Sequence, residues 1–201
     1  MQMKTAFQVL LIFLIILSFI SCSDELPLDK DLTKKSYLLI NQDSMKVEFP
    51  KVIKGNITVI GFIYTNCPDI CPMTAHNMYL TEQKLKEEGI ENVKFVALSF
   101  DPGRDSPIAL KKFAEIRDIK FKNWMLLTGE KNITKDLLRR FDVIALPTDS
   151  SFSDDGSISY FMMHTDRISL IDKNGKLRKN YKGSTVNLKE LYNDIKYLGE
   201  E

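Results

Sequence analysis

The sequence is poor in the residues that most often carry site chemistry. Its 201 residues include three cysteines, two histidines and one tryptophan. Three cysteines cannot build the disulfide framework of a small secreted domain, so stability has to come from a packed core. Charge of one sign is lacking as well: 28 Lys and Arg stand against 27 Asp and Glu, a formal net charge of +1. Such a balance leaves no electrostatic footprint for nucleic acid or for an acidic substrate, and the lysines read as a solvated surface. No apolar run reaches the ~20 residues needed to span a bilayer. No internal repeat is present.

A shorter apolar run stands at the N-terminus. Lys4 supplies a positive start, and residues 7–20 are apolar except for Gln8 and Ser18. A stretch of about 14 residues fits the core of a secretory signal. It ends in Phe19-Ile20-Ser21-Cys22 and turns polar at Ser23-Asp24-Glu25. A small residue before a Cys at that point resembles a bacterial lipobox, although Phe19 stands where Leu is commonest. The expectation is a signal peptide over 1–21, an acylated Cys22, a polar tether over 22–36 and one domain over 37–201. That makes the chain a membrane-anchored lipoprotein of the cell envelope facing the periplasm. An uncleaved anchor or a plain signal is the alternative. With Cys22 lipidated, Cys67 and Cys71 remain as a pair. Only three residues separate them, which is too few for a long-range staple, so they read as a redox pair or as metal ligands.

Hydrophobic patterning predicts the elements. Short strands at 37–40 and 45–49 flank the Asn41-Gln42-Asp43 turn. Residues 57–64 (ITVIGFIY) form a continuous apolar, β-branched and aromatic run, the pattern of a strand buried on both faces. A helix over 73–88 follows, then a second central strand over 93–99. Ser106-Pro107 opens a helix to 117, 124–127 is a third strand, and 132–141 is another helix. The Ser/Asp-rich stretch 147–156 is expected to be a loop. Strand pieces at 159–163 and 167–171 precede an Asn174-Gly175 hairpin turn, a return strand over 176–181 and a last helix over 187–198. This order predicts an α/β domain, a central sheet with helices on both faces.

The chemistry concentrates in Thr65-Asn66-Cys67-Pro68-Asp69-Ile70-Cys71-Pro72, between the first buried strand and its helix. Ligands bind at the carboxyl ends of strands in such sheets. A helix start offers free N–H groups that favour thiolates. Two soft thiolates select Cu(I) or Zn. The two histidines are the remaining soft-metal donors of note. His76 falls five residues past Cys71, about 140° round the helix, and reads as a solvated helix residue. His164, before a strand, stays open between a ligand and a satisfied histidine on residue type alone. Asp69 between the thiols reads as a solvated carboxylate or an electrostatic tuner. Asp101, Arg104 and Asp105 read as loop pairing, helix capping or site shaping. Met162 and Met163 beside Phe161 read as core.

Three runs, YTNCPDICP, SFDPGRDSP and HTDRISLIDKNGKL, together resemble the Sco/SenC family of copper proteins. The similarity spans about residues 45–198, with the motifs in order. It implies a thioredoxin-like central sheet flanked by helices, with an N-terminal β-hairpin and a β-hairpin insertion. It also implies that Cys67, Cys71 and His164 bind copper as Cu(I) or Cu(II). The implied role is assembly of the dinuclear copper centre of a terminal cytochrome oxidase. Its implied partners are the copper-centre subunit, a copper donor protein and, through the lipid, the membrane. The sequence departs from the family at Gly103, usually acidic, at Thr165, usually Ser, and at Asn56, usually Lys. A ligating His164 needs a partner on its second ring nitrogen, expected from the Asp-rich loop before it. The rival reading is a metal-independent thiol-disulfide oxidoreductase or reductase using Cys67 and Cys71. Against it stands the three-residue spacing. A peroxide-reducing enzyme is disfavoured because ITVIGFIYTNC lacks a proline before its Thr-x-Cys. A copper storage or sensing module is a third alternative.

Overall fold

The computed structural model describes residues 26–28, 30–152 and 158–201. The expected signal peptide, Cys22 and the start of the tether lie outside these residues, as does part of the Ser/Asp-rich stretch. The strands are β1 (Lys30–Asp31), β2 (Tyr37–Asn41), β3 (Lys46–Phe49), β4 (Ile57–Ile63), β5 (Val93–Ser99), β6 (Trp124–Thr128), β7 (Ala145–Phe152), β8 (Ile158–His164), β9 (Ile168–Ile171) and β10 (Lys176–Tyr181). The helices are α1 (Ile70–Glu87), α2 (Pro107–Glu115), α3 (Lys131–Arg140) and α4 (Leu188–Glu200).

Eight strands form one sheet in the order β1-β10-β9-β4-β5-β6-β2-β3. At its centre β4 runs parallel to β5, and β5 parallel to β6, each joined by a helical crossover. The apolar run predicted as a doubly buried strand is β4, and every residue of it is buried. Its two faces meet different helices, as side-chain alternation requires. Gly61 faces α1, where a Cβ would stand 2.4 Å from Met78 Sδ. Phe62 faces the other way and packs on Phe141 just past α3, with ring centroids 5.1 Å apart. The thioredoxin-like sheet with helices on both faces is therefore present, as are the N-terminal hairpin β2–β3 and the β9–β10 hairpin.

Three expectations change. Residues 26–36 do not form a loose tether in their described part. Leu26 and Leu32 are buried, and β1 pairs with β10, so this arm belongs to the folded body. The helix after the cysteine loop starts at Ile70 rather than 73, which brings Cys71 and Pro72 into its first turn. A proline there lacks only an N–H that the first turn leaves unpaired anyway. Finally, Pro147 opens no loop: it lies within β7, which pairs with β8 over the span read as Ser/Asp-rich connection. A register irregularity between Pro147 and Ser150 accommodates the missing proline donor. The polar composition masked a hairpin arm, of which Leu146, Pro147 and Thr148 are exposed.

Candidate metal centre

Cys67, Cys71 and His164 come together at the carboxyl end of the parallel strands. One donor atom from each lies within 4.8 Å of the others, and they form the one His/Cys/Asp/Glu group of this kind among the described residues. The two sulfurs arrive on the loop and first turn that follow β4. Cys71 is fully buried, and Cys67 is half-buried. His164 arrives from the far side as the last residue of β8. Its Nε2 stands 4.0 Å from Cys71 Sγ.

Backbone donors surround the sulfurs. The Tyr64 N–H points at Cys71 Sγ and the Cys71 N–H at Cys67 Sγ, both at 3.4 Å. The cysteines share one polar contact and shift in opposite senses. The hydrogen bond from Cys71 holds the Cys67 thiol down at about 5, against burial, with help from the backbone N–H groups of Cys71 and Asp69. Its contact with Cys67, together with burial, pushes the Cys71 thiol far up. The metal-free site therefore stores one thiolate at Cys67 and one proton at Cys71. A cation that takes both sulfurs displaces that proton.

The imidazole is oriented by its own neighbour. His164 Nδ1 lies 3.2 Å from the Thr165 carbonyl. A carbonyl only accepts, so Nδ1 is the donor in this contact, and the neutral tautomer it selects is the one with its lone pair at Nε2, on the side of the sulfurs. The partner expected from the Asp-rich loop is thus, among the described residues, the Thr165 backbone. Phe100 packs against the imidazole at 4.6 Å between centroids, and Tyr64 meets it edge-on at 6.2 Å.

The other residues separate. His76 and Asp69 are exposed, and His76 lies outside the donor group. Met162 packs against the core as expected, whereas Met163 points outward at 60% exposure, so the core reading fails for Met163 alone; Phe161 beside it is exposed too. Asp105 is buried and accepts from Thr65 N–H (3.1 Å), Thr65 Oγ1 (2.6 Å) and Ser99 Oγ (2.6 Å). It fixes the start of the cysteine loop, while Ser106 caps α2 by accepting from the Ala109 N–H. Residue type alone did not mark Asp166. Its carboxylate accepts from Ser184 N–H and Oγ and from Thr74 Oγ1, which ties the segment after His164 to the helix that carries Cys71.

This fold, with two thiols on the loop after β4 and a histidine on a separate hairpin, matches a known family model described as SCO1/SenC over residues 26–199. The chain belongs to the SCO1/SenC family. A Sco relative, the SCO1 protein homolog of Bacillus subtilis (strain 168), is 34% identical over 160 residues, or 78% of this chain and 77% of that protein. The crystal structure of a SCO1/SenC family lipoprotein from Bacillus anthracis str. Ames superposes with a TM-score of 0.71 at 29% identity, covering 88% of this chain and 98% of the other. Bradyrhizobium japonicum ScoI with copper bound gives a TM-score of 0.68 at 25% identity, covering 82% and 98%. The departure of this SCO1/SenC chain at Gly103 costs no packing, since a Cβ there would meet only Asp101 Oδ1, at an ordinary 3.7 Å.

Proposed function

We propose that this protein binds copper through Cys67 Sγ, Cys71 Sγ and His164 Nε2, and that it hands the ion on during assembly of the dinuclear copper centre of a terminal oxidase. The observation that carries the reading is the donor set itself: two sulfurs and one imidazole nitrogen within 4.8 Å. Two thiolates suit Cu(I) at low coordination, and an added imidazole makes the set acceptable to Cu(II). The copper-bound B. japonicum relative supports the choice of metal. The family resemblance supports the oxidase as destination, with the copper-centre subunit as acceptor and a copper donor upstream. Copper is cargo here, and half-burial of Cys67 leaves one edge of the site open to an incoming acceptor. The Ser21-Cys22 junction supports a lipid at Cys22 and a periplasm-facing, membrane-anchored domain. The lipoprotein from B. anthracis supports the same placement. No helix among the described residues is long and apolar enough to cross a membrane.

One observation favours a second reading. The lowered Cys67 thiol suits attack on a partner disulfide, with Cys71 resolving the mixed disulfide so that the partner leaves as two thiols. His164 has no part in that exchange. A strain lacking the protein, complemented with wild type, His164→Ala or Cys67→Ala, separates the two. Copper delivery predicts an oxidase deficient in copper with either variant. Normal oxidase copper with His164→Ala, while Cys67→Ala still fails, assigns the function to thiol exchange.

A further inference from the structure

The three donors are not held in the same way. Both sulfurs follow directly from β4 at the centre of the sheet. His164 ends a hairpin, β7–β8, that shares no ladder with that sheet among the described residues. Side chains and single backbone contacts must therefore place it. Alternate residues of β8 turn inward: Tyr160, Met162 and His164 face the domain, while Phe161 and Met163 face solvent. The backbone of Met162 hydrogen-bonds the Tyr64 side chain.

The firmest grip comes from the loop after β5, which supplies no donor atom. Arg104 Nε donates to Asp101 Oδ2 at 2.5 Å, and Nη1 donates to the Tyr160 carbonyl at 2.9 Å. The guanidinium carbon lies 3.6 Å from the centroid of the Tyr160 ring. The Tyr160 hydroxyl closes the cycle by donating to Asp101 Oδ1 at 2.8 Å. One residue beyond Arg104, Asp105 holds Thr65 at the head of the cysteine loop. A single turn of chain thus grips both ligand-bearing segments. Tyr160 and His164 lie four residues apart on one face of β8, a reach of about 13 Å. A slip of one residue would turn His164 to the solvent face.

We infer that Arg104 is a positioning residue for the third ligand: clamped to Asp101 and Tyr160, it sets the register of β8 that brings His164 Nε2 to the two sulfurs. The inference rests on the copper reading and specifies what controls its nitrogen ligand. Arg104→Lys keeps the charge but cannot bond Asp101 and the Tyr160 carbonyl in one plane or stack as a guanidinium does. Arg104→Ala removes the clamp, and Tyr160→Phe removes only its hydroxyl link.

Three measurements test it: Cu(II) affinity with the sulfur-to-Cu(II) absorption, Cu(I) affinity, and hydrogen exchange of the metal-free protein. Arg104→Lys and Arg104→Ala should weaken Cu(II) binding by about 10–100-fold and shift the absorption, as loss of a group orienting a ligating histidine does. Tyr160→Phe should fall between them and wild type. Cu(I) affinity should hold, because it needs the two thiolates alone. Exchange should accelerate in β8 and stay slow in β4 and β5. Wild-type Cu(II) binding together with wild-type β8 exchange in both Arg104 variants would overturn the inference. So would equal losses of Cu(I) and Cu(II) with protection lost from β4 and β5, which would mark Arg104 as general scaffolding. A wild-type protein without Cu(II) absorption would contradict the copper reading, and β8 exchange would then still decide whether Arg104 holds the hairpin.

Discussion

At the scale of single residues, the cysteines divide their labour before any metal arrives. Cys67 sits below the ordinary thiol range, at about 5, through its contact with Cys71 and two backbone N–H groups. Alkylation of the reduced, metal-free protein should therefore stay fast well below neutral pH and fall off only near about 5, with Cys67 the modified residue by mass spectrometry. The sign for stability follows. The folded chain binds this proton less tightly than the unfolded one, so the Cys67 contribution grows as pH rises from about 5 towards the ordinary thiol value. Cys71 shifts upward, so its contribution turns adverse above that value. His164 acts on the other side of the site. His164→Ala should abolish the sulfur-to-Cu(II) absorption and lower Cu(II) affinity by at least about tenfold, since an imidazole suits copper in a way that water in its place does not. The same variant should keep a reversible Cys67–Cys71 disulfide on titration with a dithiol redox buffer. A variant that holds Cu(II) like wild type would remove His164 from the ligand set.

At the scale of elements, the site depends on how closely α1 packs on β4. Gly61 allows that approach, and a Cβ there would press into Met78 Sδ and Thr74 Cγ2. Gly61→Ala should cost about 1–3 kcal/mol in chemical denaturation, the usual penalty of overpacking. The arm before β2 offers a second test. Leu32 is 1% exposed although it lies outside the span that sequence patterning assigned to the domain. Leu32→Ala should cost about 2–5 kcal/mol, whereas a free tether would tolerate the change without a shift in the denaturation midpoint. The arm was illegible because Leu26 and Leu32, six residues apart among Pro, Lys, Asp and Thr, are too widely spaced to set a helical or a strand period. β4 and β5 were legible for the opposite reason: seven consecutive apolar-rich positions admit little but a doubly buried strand. The β7 arm was hidden by Pro147 and a run of Ser and Asp, residue types that favour turns over strands. At the site, Cys67 and Cys71 could be read from spacing and flanking prolines. His164 needed the family motif, because its neighbour in space, Cys71, is distant in sequence. Asp166 and the Arg104–Tyr160 contact could not be read, because each is a pairing of ordinary polar residues that only the fold brings together.

At the scale of the whole molecule, a folded body beginning near Leu26 leaves a short span between the domain and Cys22. If Cys22 carries the lipid, Cys22→Ser should abolish palmitate labelling and leave the chain as a soluble or an uncleaved species, while copper binding by the domain stays intact. Labelling that persists in that variant would remove the lipoprotein assignment. A copper site built of two sulfurs and one imidazole needs its thiols free. The most direct test of such a site is equilibrium dialysis against copper, with metal content measured on the reduced protein and on the Cys67–Cys71 disulfide form side by side. The reduced chain should hold about one copper and the disulfide form none. Equal copper in the two forms would contradict the site.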